Sequence, residues 1–207
     1  MTEAEMREAE MMTTTSMPRP WDDPLGAMVA WLAIDPAAPP LGVLATVGPD
    51  GTPHCRHLLV SGATTEGPTF HTDSRSQKVR DLEGEARATL VVLSEDRTRQ
   101  LTVTGTVVPT DPQEQSASYL LRSDYLKLLA WTNDAATALL PPPGRRRMWA
   151  GAVERFGPSP EQAPDTWLGL RLRPETVTFW TAGMDEPSHR RRFQSRDGSW
   201  HAEELPG

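Results

Sequence analysis

The most constraining feature of the chain is a turn. Residues 41–47 and 54–60 are short, largely apolar runs joined by Gly48-Pro49-Asp50-Gly51. That turn chemistry closes a hairpin, so the two runs pair antiparallel from the outset. A doubly wound parallel sheet, which needs a long crossover between successive strands, is thereby disfavoured. Further β-type runs follow at 69–72, 88–94 and 99–108, then at 167–172, 177–180, 191–194 and 200–203. Within 99–108, Leu101, Val103 and Gly105 read as one face, and Thr102 and Thr104 as the other. Helical spacing of apolar residues marks 21–34, with Leu25, Met28, Val29 and Leu32 on one side. Hydroxyls at 74–76 cap a short helix reaching residue 82, and 111–140 again reads as helical. The proline-rich stretches 141–147 and 157–164 read as loops. Many short strands, interspersed helices and no strict strand–helix alternation predict a mainly β (α+β) fold, an antiparallel barrel with peripheral helices.

A chain of 207 residues suits one domain, spanning 21–207, behind an acidic, Met- and Thr-rich tail at 1–20 that is predicted to be disordered. With 28 acidic against 21 basic residues, the net charge of −7 argues against a general nucleic-acid binder. The arginine clusters at 145–147 and 190–192 lack the interleaved aromatics of a single-strand binder, and the first reads as a solvated loop. Cys55 is the only cysteine, so no intramolecular disulfide can form, and no apolar run is long enough to cross a membrane. A cytoplasmic protein is expected. Residues 167–207 are rich in Trp and Arg, types enriched at interfaces, and are expected to form a dimerisation segment.

Candidate chemistry concentrates in three pieces: Arg56-His57-Leu58-Leu59-Val60, then His71-Thr72-Asp73-Ser74-Arg75-Ser76-Gln77-Lys78, then Arg99-Gln100 leading to Gly105. Cations beside hydroxyls at a helix start suit a phosphate, so these pieces predict a surface for a flat, phosphate-bearing cofactor. A metal site at His54, Cys55 and His57 is not expected, because strand alternation sends Cys55 and His57 to the face opposite His54. Nor does a glycine-flanked nucleophile support a serine hydrolase triad.

Taken in order, these pieces, with Phe179-Trp180 and Arg190 ten residues beyond, resemble the pyridoxamine 5′-phosphate oxidase-like flavoproteins of the FMN-binding split-barrel fold. The resemblance covers about residues 41–205 and implies a split barrel of antiparallel Greek-key type. It implies FMN as cofactor, with Arg56, Arg75, Ser76 and Lys78 toward its phosphate and Gln100 and Thr72 toward the flavin ring. His57, Leu58, Leu59, Ser61 and His71 fall on the same cofactor-binding motifs. It also implies that Trp180 and Arg190 reach the cofactor bound mainly by the other subunit of a homodimer, and that Tyr119 and Arg122 belong to the substrate side. Hydride transfer from a small organic donor to the flavin is the implied activity.

Several positions depart from the family pattern. Ser61 stands where the vitamin B6 oxidases have a lysine for the substrate phosphate. Glu186 and Ser188 replace an Arg-x-His pair, and Leu126 replaces a substrate-side serine. On the cofactor side Gln77 replaces an arginine, for which Arg75 is the expected substitute, and Ala135-Ala136 replace a Gln-Ser pair. A glutamate opposite a phosphate repels it, so a phosphorylated B6 substrate matches poorly. The alternatives are a flavin or small-ligand binding protein without turnover, and a deazaflavin-dependent reductase.

Overall fold

The computed structural model describes residues 23–207. The tail expected at 1–20, and residues Trp21 and Asp22 of the first predicted helix, lie outside the described residues. Helix α1 runs from Pro24 to Leu32, begun by the Asp23 carboxylate accepting from the Gly26 N–H at 2.9 Å and by a proline in the first turn, where no N–H is needed. It buries Ala27, Met28 and Leu32 against the barrel, and Trp31 meets Phe179 edge to face at 4.8 Å.

Eight strands follow: β1 (Leu41–Val47), β2 (Pro53–Thr64), β3 (Gly67–Asp73), β4 (Arg87–Leu93), β5 (Arg99–Pro109), β6 (Trp167–Thr181), β7 (His189–Arg196) and β8 (Ser199–Leu205). Their order in the sheet is β3-β2-β1-β4-β5-β6-β7-β8, and β3 also pairs with β6, which closes the first six into a barrel. Every pairing is antiparallel. The run β4-β1-β2-β3 is a Greek key, the fourth strand returning beside the first. Helix α2 (Gln77–Gly84) makes that return.

Period-2 alternation builds the core. Strand β5 buries Leu101, Val103, Gly105 and Val107 and turns Thr102 and Thr104 outward, where Thr104 meets Thr89 at 2.9 Å. Leu44, Val60, Phe70, Leu90, Leu172 and Val177 complete a fully buried centre.

Two predicted strands, 167–172 and 177–180, are one strand. The 15-residue β6 carries Pro174 through a register shift opposite Thr104 and Gly105. Only glycine fits at position 105, since a Cβ there would collide with the Arg173 carbonyl.

A second correction concerns 141–147, which is no loop. Pro142–Phe156 form helix α6, whose leading prolines occupy the first turn and whose Arg145, Arg146 and Arg147 are helical. Between β5 and α6, the predicted helical stretch divides into α3 (Pro112–Leu120), α4 (Asp124–Thr132) and α5 (Ala135–Ala138). Among the described residues, no helix is long and apolar enough to cross a membrane.

Candidate cofactor site

The barrel is open along one seam. Strands β2 and β3 pair only from Val60↔Phe70 to Thr64↔Gly67, with a register shift that leaves Ser61 as the bulged residue. Before Val60, β2 pairs with β1 alone; beyond Phe70, β3 pairs only with β6. Residues 56–59 and 71–73 therefore flank a gap in which β2 presents an unpaired backbone edge. A cavity of about 310 Å³ fills the gap, lined by Arg56, His57, Leu58, Leu59, His71, Thr72, Ser76, Lys78 and Arg122, with Leu126, Leu129 and Trp167 as its apolar wall.

One end of the cavity is cationic. The Lys78 Nζ donates to Thr72 Oγ1 at 2.7 Å, its only hydrogen-bond partner among the described residues, and Thr72 Oγ1 lies 3.2 Å from Ser76 Oγ. Ser76 is the N-cap of α2, yet its side chain makes no capping bond, so the first N–H groups of the helix keep their capacity for an acceptor. Burial pushes the Lys78 ammonium below an ordinary lysine, and the nearby Arg56 pushes it further. A half-buried cation, two hydroxyls and an uncapped helix start form a cradle for an anion.

Arg56 is less free than its motif implies. Its Nη1 donates to Thr46 Oγ1 at 2.6 Å and to the carbonyls of His54 and Leu44 at 3.1 and 3.2 Å, while Nη2 reaches Asp81 at 3.3 Å. Asp81, 2% exposed on the inner face of α2, also accepts from Thr46 at 2.7 Å and contacts His54 Nδ1 at 3.0 Å. The Thr46 hydroxyl foremost, then His54 and Arg56, hold its carboxyl below the usual range. Asp81 was not singled out by sequence; its signal was a lone acid beside Val79 on the buried side of a short helix.

The other end carries Arg122. Its Nη2 donates to Ser61 Oγ at 2.5 Å, and Ser61 Oγ lies 3.0 Å from His71 Nδ1. His71 stacks on Trp167 at 4.9 Å, and the Arg122 guanidinium lies 5.6 Å from the Trp167 ring. Burial first, and Arg122 second, lower His71 to about 4, so it is neutral. The imidazole fits because its cross-strand neighbour is Gly169, where a Cβ would come within 3.0 Å of Nε2. His71 Nε2 and Thr110 Oγ1 are both buried without a hydrogen-bond partner among the described residues. Trp167, also unforeseen, is oriented by its Nε1 donating to the Gln115 carbonyl at 3.1 Å.

The remaining expected residues lie elsewhere. Ser61 lines a smaller adjoining cavity, with Arg122 between the two. Arg75 is exposed and engaged with Asp73 through Nε at 3.0 Å and Nη2 at 2.6 Å, so the expected substitute for the missing arginine is already paired. Tyr119 is buried, its hydroxyl donating to the Lys127 carbonyl at 3.1 Å and accepting from Trp131 Nε1 at 3.2 Å. It supports Trp167 edge to face at 5.3 Å and does not line the cavity. Gln100, Trp180 and Arg190 form one cross-strand row over β5, β6 and β7, and none of them lines the cavity. The side chain of Gln100 turns to Thr102 at 3.3 Å.

Comparison with known proteins gives this geometry a family. A family model described as pyridoxamine 5′-phosphate oxidase matches residues 27–159. Pyridoxine/pyridoxamine 5′-phosphate oxidase of Pseudomonas fluorescens (strain SBW25) is 30% identical over 190 residues, covering 89% of this chain and 88% of its own. The protein of the same name from Pseudomonas paraeruginosa is 32% identical over 170 residues, covering 82% and 79%. Among solved structures, PhzG from Burkholderia lata 383, determined with tetrahydrophenazine-1-carboxylic acid, superposes with a TM-score of 0.77 at 23% identity over 91% of this chain and 96% of its own. A pyridoxamine 5′-phosphate oxidase-related, FMN-binding protein from Nostoc punctiforme gives 0.64 at 24% identity, covering 81% and 87%. The expected split barrel is the observed fold, and the chain belongs to the pyridoxamine 5′-phosphate oxidase family.

Proposed function

We propose that this protein binds FMN in the seam between β2 and β3 and uses it for a two-electron oxidation or reduction of a small organic molecule. The observation that carries the reading is Lys78, a half-buried cation that among the described residues makes no ion pair and feels only the nearby Asp73, already bound by Arg75, set beside Thr72, Ser76 and the uncapped start of α2. A phosphate dianion satisfies all of these groups at once. Arg56 adds positive potential but shares its charge with Asp81. When bound, FMN supplies the electron acceptor or donor, so the chemistry asks little acid–base work of the protein. The residues of this chain bind and orient: Thr72, Ser76 and Lys78 hold the phosphate, the unpaired edge at residues 58–59 offers backbone groups to the ring, and Leu126, Leu129 and Trp167 exclude water.

A homodimer is part of the reading. The cavity of about 310 Å³ lies at the low end of the roughly 300–1,000 Å³ typical of small-molecule sites. The row Gln100, Trp180 and Arg190 supplies an amide, a large ring and a cation that the cavity of its own chain does not use. A second copy laying that row across the seam would complete the site.

The curated relatives are named for B6 phosphates, but Ser61 gives this chain a hydroxyl where a substrate-phosphate cation is expected, and that hydroxyl is already engaged by Arg122 and His71. We therefore assign a different substrate. The test of the flavin reading is the visible spectrum of the purified protein and the identity of the released chromophore, followed by titration of flavin-free protein with FMN. A colourless protein that takes up no FMN would end it.

A further inference from the structure

We propose that His54 is a positioning residue that controls how much of the Arg56 charge reaches the cofactor phosphate: once protonated, it takes over the Asp81 carboxylate and leaves Arg56 to the anion. This assignment rests on the flavin reading above and brings in a residue that does not line the cavity.

Strand register and one turn of helix build the cluster. Thr46 on β1 stands opposite His54 on β2 and Leu44 opposite Arg56, so His54 and Arg56 share one face of β2. Gln77 and Asp81, a helical turn apart on α2, pack onto that face. Asp81 Oδ2 is where the groups meet. It accepts from Thr46 Oγ1 at 2.7 Å and from Arg56 Nη2 at 3.3 Å, and His54 Nδ1 lies 3.0 Å away. One oxygen thus serves a histidine and an arginine, and the arginine makes the longest of the three contacts.

Two of these charges are fixed and one is not. Asp81 is 2% exposed and held ionised, Thr46 contributing most, and a guanidinium keeps its charge at any ordinary pH. His54 keeps 28% of its side-chain exposure, so protons reach it from solvent, and histidine is the side chain that changes charge near neutral pH. While the ring is neutral, Asp81 and Arg56 offset each other, and Lys78 is the main positive charge that this chain offers the cradle. A proton on His54 turns the trio of Arg56, Asp81 and His54 from neutral to singly positive. Arg56 lines the cavity, and its charge is already felt at Lys78, so the added charge acts where the phosphate is held.

The surroundings suit both states of the ring. Gln77 Nε2 lies 3.2 Å from His54 Nε2 and 3.3 Å from Nδ1; an amide donates to a neutral imidazole through its nitrogen and accepts from a protonated one through its oxygen. Gln77 stands where the family pattern has an arginine, so this chain exchanges a permanent cation at the start of α2 for the partner of a titratable one. Arg75 does not make up the loss, being held by Asp73, and Arg80 turns to the Arg75 carbonyl. Asp50 faces the ring from the turn between β1 and β2. Arg190, which a second copy would bring to the seam, is charged in either state of His54 and leaves the difference between the states unaltered.

The test is a set of titrations of flavin-free protein from about pH 8 to about pH 5.5, the range in which histidine gains its proton. The probes are FMN, riboflavin, which has the ring and no phosphate, and inorganic phosphate. At each pH, dividing the Kd of His54→Gln by that of the wild type cancels the titration of the phosphate itself. This ratio is expected to rise at least about fivefold for FMN and for inorganic phosphate as pH falls, and to stay level for riboflavin. Asp81→Asn keeps an acceptor for Thr46 and removes the charge that holds Arg56, so at about pH 8 it should tighten FMN binding by a similar factor. Circular dichroism melts confirm that each variant is folded. A protein that takes up no FMN at any pH ends the flavin reading, while the ratio for inorganic phosphate still decides whether His54 sets the charge of the cradle. A level ratio for both phosphate-bearing probes, an equal rise for riboflavin, or looser FMN binding by folded Asp81→Asn would overturn the proposal.

Discussion

Replacing Lys78 with methionine separates cofactor binding from folding more cleanly than any other change in the site. Methionine keeps an unbranched, apolar stem of similar length and deletes only the ammonium. In the flavin-free protein that ammonium is half buried, bonded only to Thr72 among the described residues and disfavoured by burial and by Arg56. Its removal should leave the melting temperature unchanged or raise it. With FMN bound, the lost charge-assisted bond is worth about 1.5–3 kcal/mol, or roughly a 10- to 150-fold rise in Kd. Arg56→Met is the contrasting case. It strands the buried Asp81 carboxylate with Thr46 and His54, and breaking such a pair costs about 3–5 kcal/mol of stability. Lysine titration adds a pH signature. Because the folded pKa lies below that of an ordinary lysine, the unfolded chain holds more protons between the two values. Stability of the flavin-free protein should therefore rise with pH across that window, while FMN affinity falls as the cation is lost. Quenching of FMN fluorescence gives Kd, and circular dichroism gives the melt. Wild-type affinity in Lys78→Met, or a melt as low as that of Arg56→Met, would refute the assignment.

His71, lowered to about 4 by burial first and Arg122 second, should contribute stability that is complete above about pH 6.5 and is lost as pH falls toward 4, by at most about 3 kcal/mol. Denaturant melts of the wild type and of His71→Asn across that range should diverge, and parallel curves would show that this histidine is not the group responsible. The shared site is testable by mixing subunits: Lys78→Met and Trp180→Ala chains each bind FMN poorly alone, whereas refolding them together at equal ratio should recover about a quarter of the sites, in mixed dimers only. No recovery would mean that the Gln100, Trp180 and Arg190 row does not complete a partner's seam.

Sequence alone determined the features that depend on neighbours along the chain. The Gly48–Gly51 turn dictated the first hairpin, period-2 alternation assigned the two faces of β5, and hydroxyls followed by Lys78 marked a helix start able to hold an anion. Local rules also misled where two structures share one composition. Prolines and a glycine at 141–144 suit a loop and a helix's first turn equally, and Pro174 divides a strand unless a glycine lies opposite to admit a bulge. Only the tertiary structure decided the pairings between residues distant in sequence. Asp81 claims part of Arg56 from 25 residues away and Arg122 reaches Ser61 across 61, whereas Asp73 captures Arg75 locally, so three arginines of similar appearance in the sequence have three different amounts of charge left to offer. The row at Gln100, Trp180 and Arg190 is likewise created by strand register, and none of its members lines the cavity. Charge on a side chain is a local property; whether that charge is available to a ligand depends on the partners that folding brings to it.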